Sequence, residues 1–309
     1  MALSGHLRTF LPRIVDKLQP PSVPEAQPWS TTVEESGLRV RLTGLLRRHP
    51  RSDGMLVIVH GLGGSSGSPY ALRAAETAEA MGISSLRLNL RGSDHGGEDF
   101  YHAGLTADLH AAFAAMEKSV RRLYVLGMSL GGHVALRLLT EPHDPRLRAV
   151  AAICSPLDLD ACSASIDRPN AAIYRYYVLR RLREIYSEVA ARRPLPTPPE
   201  QLRGVWKLRR FDALTVAPRW GFASAEDYYT RASVGPLLPK IAKPALMVAA
   251  KQDPMVPRET LLPSLRAAPA ALEAHWVDGG HVSPARRMDI GVRAPLGLTG
   301  QAIGWLLER

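Results

Sequence analysis

Four short stretches of this chain, residues 55–59, 123–126, 149–154 and 245–250, are apolar at nearly every position. A strand with one wet face alternates apolar and polar residues, so an unbroken apolar run of this length predicts a strand covered on both sides. Each run stops at turn-forming residues: Gly and Ser over 60–67, Gly127 to Gly131, Ser155-Pro156, and Asp253-Pro254. Helix-length patterns follow at about 69–81, 105–117 and 130–139, and a strand over 84–90 keeps the same rhythm. A strand over 275–277 and a helix over 298–308 close the chain. Strands alternating with helices predict an α/β domain with a mostly parallel central sheet flanked by helices. At 38–42, Leu38, Val40 and Leu42 alternate with Arg39 and Arg41, which predicts an outer strand with one solvated face.

The rhythm breaks between about residues 157 and 233. This region is rich in Tyr and Arg, has a helical stretch over 174–189 and a Pro-rich break at 194–199, and then carries Trp206, Phe211, Trp220 and Phe222. A helical insertion inside a resumed α/β pattern reads as a cap over the active edge of the sheet. The expected organisation is thus a Pro-rich extension over 1–30, a core formed by 31–156 with 234–309, and a cap over 157–233. The cap also holds most of the charge. Residues 171–210 contain ten basic and three acidic side chains, a net +7 of the chain's +10. Such an excess is compatible with anionic partners, but a solvated helical face in an arginine-rich chain is the favoured reading. No recognised reading module accompanies the charge, so no nucleic-acid partner is expected.

Two cysteines, Cys154 and Cys162, do not form a C-x-x-C pair, so neither a structural disulfide nor a cysteine metal site is expected. No run approaches the roughly 18 apolar residues of a membrane span. The first residues are broken by His6, Arg8, Pro12 and Arg13, unlike a secretory signal. A reducing cytoplasm is the expected compartment.

Gly127-Met-Ser-Leu-Gly131 matches G-x-S-x-G, in which a serine is held at a sharp strand-to-helix turn. The glycines two before and two after are expected because they crowd the serine's Cβ. A second match, Gly63-Gly-Ser-Ser-Gly67, makes Ser65 a rival. The turn requires a strand directly before and a helix directly after; Ser129 meets this, whereas Ser65 lies five residues beyond a strand end. Downstream, Asp253 follows strand 245–250 and His281 follows strand 275–277, in the order nucleophile, acid, histidine that such folds use. Asp278 is a rival acid, but three residues from His281 it shapes the turn. In this reading His281 takes the proton of Ser129, and Asp253 fixes its tautomer. Backbone N–H groups of Leu130 and, in the Gly-rich loop after His60, Leu62 are expected to form the oxyanion hole. That loop lacks the Gly-Lys-Ser/Thr of a P-loop and the third glycine of G-x-G-x-x-G, so no nucleotide cofactor is expected. His95, His102, His110 and His133 lack metal-ligand spacing and are read as structural, with no metal expected.

Beside these residues stand His60-Gly-Leu-Gly-Gly-Ser-Ser-Gly-Ser-Pro-Tyr70, Asn89-Leu-Arg-Gly92 and Tyr101-His-Ala-Gly104, followed by Phe211-Asp212 with Thr215, Gly221-Phe222 and Asp227-Tyr-Tyr229. Together they resemble the YheT-like α/β-hydrolases, related to the yeast and animal abhydrolase-domain esterases, from about Pro28 to His281. The resemblance implies the α/β-hydrolase fold and carboxylesterase or acylglycerol-lipase chemistry on short- to medium-chain esters, with Ser129, Asp253 and His281 as its triad. Ser93 stands where family members often carry cysteine. The expected function is therefore a serine carboxylesterase whose partner is a small-molecule acyl ester. Acyl transfer on the same triad is one alternative. The other is a silent membrane-surface binding protein, of which the basic cap keeps a version: weak contact with anionic membrane. The sequence carries no signal for an oligomeric state.

Overall fold

In a computed structural model of the 309-residue chain, residue 9 and residues 25–35, 37–284 and 287–309 are described. Eight strands form one sheet: β1 (Gln27–Glu35), β2 (Leu38–Arg47), β3 (Gly54–Val59), β4 (Ser84–Asn89), β5 (Arg122–Met128), β6 (Leu147–Ile153), β7 (Ala245–Ala250) and β8 (Leu272–Val277), in the order β1-β2-β4-β3-β5-β6-β7-β8. The pairs β1–β2 and β2–β4 are antiparallel, and all other neighbours are parallel. Strands β3, β4 and β7 are buried along their whole length, as the continuous apolar runs of β3 and β7 require, whereas β4 is buried together with its polar Ser84, Ser85, Arg87 and Asn89.

Because successive side chains point to opposite faces, each buried strand feeds two apolar layers. Leu56, Ile58, Tyr124 and Leu126 pack with α1 (Pro69–Ala80) and the C-terminal α10 (Leu298–Leu307). Met55, Val57, Val59 and Val125 face the opposite layer, with α2 (Ala107–Ala114) and α3 (Leu130–Leu138). Full burial of each such side chain is worth about 1.5–3 kcal/mol.

Between β6 and β7 lie α4 (Leu159–Ile166), α5 (Ala172–Ala190), α6 (Leu208–Leu214), α7 (Val216–Trp220) and α8 (Ala225–Ala232); α9 (Arg258–Leu265) follows β7. These inserted helices are tied to the loops above the sheet. Arg219 pairs with the buried Asp99 at 2.6 Å, the hydroxyl of Tyr228 accepts from Ala103 N–H at 2.9 Å, and Arg137 of α3 donates to Ala232 O. Among the described residues no helix is long and apolar enough to cross a membrane.

Two expectations are corrected. The segment 1–30 falls mostly outside the described residues, but its last four already belong to β1, an edge strand. Only Trp29 and Val33 supply apolar side chains to its half-buried face, and Pro28 is tolerated because an edge strand can leave one N–H side unpaired. The Leu38–Leu42 strand runs on to Arg47, because β1 and β4 pair with it on both sides. Arg91, from the Asn89-Leu-Arg-Gly92 string, is fully buried, held by Asp108 at 2.6 Å and by Glu35 of β1 at 2.5 Å.

The strand order reverses at β3: β4 lies on one side of it and β5 on the other. Ligands gather at such switch points, beyond the C-terminal ends of parallel strands. Here Val59 pairs with Gly127, so the loop after β3 and the turn after β5 leave the sheet side by side.

Candidate active site

Ser129 is the single residue between β5 and α3. Its backbone has φ 52° and ψ −119°, a left-handed conformation that costs a non-glycine residue about 1–3 kcal/mol. Its N–H donates to Ile153 O at 2.7 Å, which pins the turn to β6. The neighbouring glycines have a reason other than the expected one. A Cβ on Gly127 would meet Gly131 O at 2.4 Å, and one on Gly131 would meet Val59 O at 2.4 Å and His60 O at 2.5 Å. Backbone, not the Ser129 side chain, does the crowding. It is at Gly61 that an added Cβ would approach Ser129 Cβ, at 3.1 Å.

Asp253 and His281 follow β7 and β8 as expected, and the fold brings both to Ser129. His281 is at the tip of a two-residue hairpin between β9 (Gly279–Gly280) and β10 (Ser283–Pro284), with its N–H on Thr9 Oγ1 at 3.0 Å. Its Nε2 is 3.0 Å from Ser129 Oγ, and its Nδ1 is 2.8 Å from Asp253 Oδ2. The other Asp253 oxygen, Oδ1, accepts from the N–H groups of Met255 at 2.8 Å and Val256 at 2.9 Å. Both acid and imidazole are buried. An acid that accepts at both oxygens gives the ring its roles: Nδ1 donates, and Nε2 is left to accept from the serine.

The loop after β3 is held by side chains that motif reading passes over. Gly61 N–H donates to Tyr70 Oη at 2.9 Å, Gly63 N–H to Tyr101 Oη at 2.7 Å, and Gly64 N–H to Gly61 O at 2.9 Å. Leu62 N–H is the one in that run with no acceptor among the described residues, and the same holds for Leu130 N–H at the start of α3. His60 anchors the base of the loop. Its Nδ1 lies 2.8 Å from Gly61 O, and its Nε2 contacts Ser93 Oγ and Leu90 N. Burial holds its pKa down at about 4, so the ring is a neutral brace. Ser93, the departure from the family pattern, thus has a defined partner. Tyr70 and Tyr101 stand in the strings that carry the resemblance, but the strings assign them no role, since each acts on backbone across a loop or from a distant segment.

Two cavities meet at Ser129. The first is lined mostly by apolar side chains, among them Phe100, Leu159, Ile166, Ile185, Phe211 and Val216, together with Leu62, Leu130 and His281. The string Phe211-Asp212…Asp227-Tyr-Tyr229 builds part of this wall. Tyr229 Oη donates to Asp212 Oδ2 at 2.6 Å, tying α8 to α6, and burial pushes the Asp212 carboxyl up to about 7. The second cavity is more polar, with Gly63, Gly64, Ser68, Tyr177 and Arg181 in its wall.

The rivals fall away from this centre. Ser65 lies in the turn before α1, with its N–H on Ser68 Oγ at 3.0 Å. Asp278 is 60% exposed and lies 3.5 Å from Lys251 Nζ. His102 is packed among Trp220, Phe222 and Tyr228, and burial holds its pKa down at about 3. His110 pairs with Glu141, and His133 lies between the carbonyls of Pro156 and Ala232. Among the described residues, one group has metal-type donors close together: Cys154, Asp253 and His281. Two of its members already bond each other, and burial beside Asp253 pushes the Cys154 thiol up, away from the thiolate that metal binding requires.

Residues 54–284 match the model of the alpha/beta hydrolase fold family. The chain is 31% identical to the protein of Escherichia coli named "Putative esterase YheT", over 90% of this chain and 83% of that one. It is 26% identical to the monoacylglycerol lipase of Saccharomyces cerevisiae over 74% of this chain, which spans 54% of the yeast protein. Among solved structures, the esterase Pf2001 of Pyrococcus furiosus shares the fold with a TM-score of 0.55 at 18% identity, covering 85% of this chain and 90% of that one. This chain therefore belongs to the alpha/beta hydrolase fold family, in its YheT-like branch.

Proposed function

We propose that the protein is a serine esterase that hydrolyses short- to medium-chain carboxylic esters through Ser129, His281 and Asp253. The observation that carries this reading is the hydrogen-bonded relay from Ser129 Oγ to His281 Nε2 and from His281 Nδ1 to Asp253, opening on an apolar cavity. As Ser129 Oγ attacks the ester carbonyl, His281 Nε2 takes its proton, and Asp253 stabilises the imidazolium. Negative charge develops on the carbonyl oxygen, where the N–H groups of Leu62 and Leu130 have no other acceptor. Collapse returns the proton to the leaving alcohol and leaves an acyl group on Ser129. Water then attacks through the same relay and frees the acid. Relatives named as an esterase and a monoacylglycerol lipase agree with ester chemistry.

A p-nitrophenyl ester series from acetate to palmitate, on wild type and Ser129→Ala, tests this. Turnover peaking at short to medium chains and lost in the variant is expected. A folded wild type that neither turns over any ester nor labels at Ser129 with a fluorophosphonate sinks the proposal. An alcohol in place of water would make the same site an acyltransferase, since the dryness of the pocket chooses the second nucleophile; the ester-to-acid ratio with added ethanol measures that choice.

A further inference from the structure

One face of the molecule is unlike the rest of its surface. Among the described residues the exposed large apolar side chains are Ile173, Tyr176, Tyr177, Trp206 and Leu296, and the first four form a single patch. Ile173, Tyr176 and Tyr177 are spaced i, i+3 and i+4 on α5, so they leave one side of that helix. The Tyr176 and Tyr177 rings lie 5.6 Å apart, and Trp206 stacks on Tyr176 at 6.2 Å and 20°. The patch is pre-formed: Arg183 of α5 donates to the carbonyls of Leu202 and Val205 and lies over the Trp206 ring. Exposed basic residues flank it along the chain: Arg180 on α5, which pairs with Glu184, and Arg203, Lys207 and Arg210 on either side of Trp206, in a segment of net charge +7.

A contiguous exposed apolar patch marks an interaction surface. Tyr and Trp have an apolar body and a polar tip, and with a fringe of Arg and Lys they compose a face suited to a lipid headgroup layer. A second copy of the chain is disfavoured, because it would set one basic rim against another. The patch also adjoins the candidate active site. Tyr177 belongs to it, and both Tyr177 and Arg181 line the cavity that reaches Ser129 and His281.

We propose that this face docks the protein on anionic membrane surfaces, with Ile173, Tyr176, Tyr177 and Trp206 entering the headgroup layer and the basic fringe meeting anionic lipid. Esters dissolved in the membrane then reach Ser129 along the cavity beside Tyr177. This supply route rests on the esterase reading; the docking does not.

Vesicle flotation tests it, comparing phosphatidylcholine alone with phosphatidylcholine carrying about 30% phosphatidylglycerol, at low salt and at about 0.5 M salt, where surface attraction is screened. At low salt the full chain binds anionic vesicles at least tenfold more tightly than neutral ones, and high salt removes most of that difference. Ile173→Ser with Trp206→Ser lowers binding at least tenfold while dissolved p-nitrophenyl acetate is turned over as in wild type, which also shows that the variant is folded. Arg203→Glu with Lys207→Glu abolishes the preference for anionic vesicles. Absence of binding at low salt overturns the proposal, as does binding that both double variants retain. A concentration-dependent dimer that the Ile173/Trp206 variant dissolves also overturns it, by making the face a self-interface. A chain that binds vesicles but hydrolyses no ester leaves docking standing and removes the esterase reading alone.

Discussion

Replacing Asp253 by Asn changes one atom and forces a choice that the structure resolves. Asp253 uses one oxygen for the N–H groups of Met255 and Val256 and the other for His281 Nδ1. Asparagine has one oxygen and one NH2 group. If its oxygen faced His281, two buried backbone N–H groups would meet an amide donor, at about 1–3 kcal/mol for each lost acceptor. Turning the oxygen to the two N–H groups removes a single hydrogen bond, so this orientation wins. The NH2 group then faces Nδ1, which must accept. The proton moves to Nε2, where it points at Ser129 Oγ and blocks proton removal. Loss of the correct tautomer costs about 10⁴-fold in kcat, or roughly 5.5 kcal/mol of barrier. Stability changes by no more than about 1–2 kcal/mol, because the backbone bonds survive. Stopped assays with p-nitrophenyl butyrate at neutral pH, beside urea melts of both proteins, give the two numbers. A variant within tenfold of wild type in kcat refutes the tautomer argument; one that is inactive because it has unfolded refutes the orientation argument.

Other changes separate the parts of the site. Tyr101→Phe removes the acceptor of Gly63 N–H, loosens the loop that carries Leu62, and is expected to lower kcat about tenfold with KM little changed, a fraction of the cost of losing an oxyanion donor outright. Gly131→Ala drives a methyl group into Val59 O and His60 O, backbone atoms that cannot swing aside; a loss of at least about 3 kcal/mol is expected in denaturant melts, and an Ala variant as stable as wild type contradicts the packing. Asp212, raised to about 7 in the folded protein, binds its proton more tightly there than in the unfolded chain. Its stabilising contribution is therefore present below about pH 4 and is lost as pH rises through about 7, a change of a few kcal/mol at most. Asp212→Asn should flatten that part of the stability profile, and an unchanged slope between pH 4 and 8 argues against it.

What the sequence reveals follows from how local its signals are. Wholly apolar strands such as 245–250 announce double burial, and β7 begins and ends at those residues. Strand β4 carries Ser84, Ser85 and Arg87, which break the apolar pattern. Its polar side chains are nevertheless buried, with Arg87 donating to Ser66 O from a distant loop. Strand β1 carries two apolar residues on its inner face, too few for a period to show. Ser129, Asp253 and His281 are legible by position after strands. The roles of the partners that shape their surroundings are not, although Tyr70, Tyr101 and His60 stand in the quoted strings, because they act through contacts to backbone or to distant residues. The elbow glycines are legible as glycines, but the atoms they avoid belong to the turn itself and to the end of β3.

The two cavities that meet at Ser129 draw on different parts of the chain. The apolar one draws most of its wall from segments between β6 and β7, and the polar one draws much of its wall from the loop after β3 and its neighbours. Substitutions in α4, α6, α7 and α8 therefore reach the apolar wall alone, whereas α5 borders both cavities, through Leu182 and Ile185 on one side and Tyr177 and Arg181 on the other. Met255 belongs to both walls, and its N–H is held by Asp253. It shares that place with Leu62, Ser129 and His281, so a change of its side chain reshapes both cavities at once.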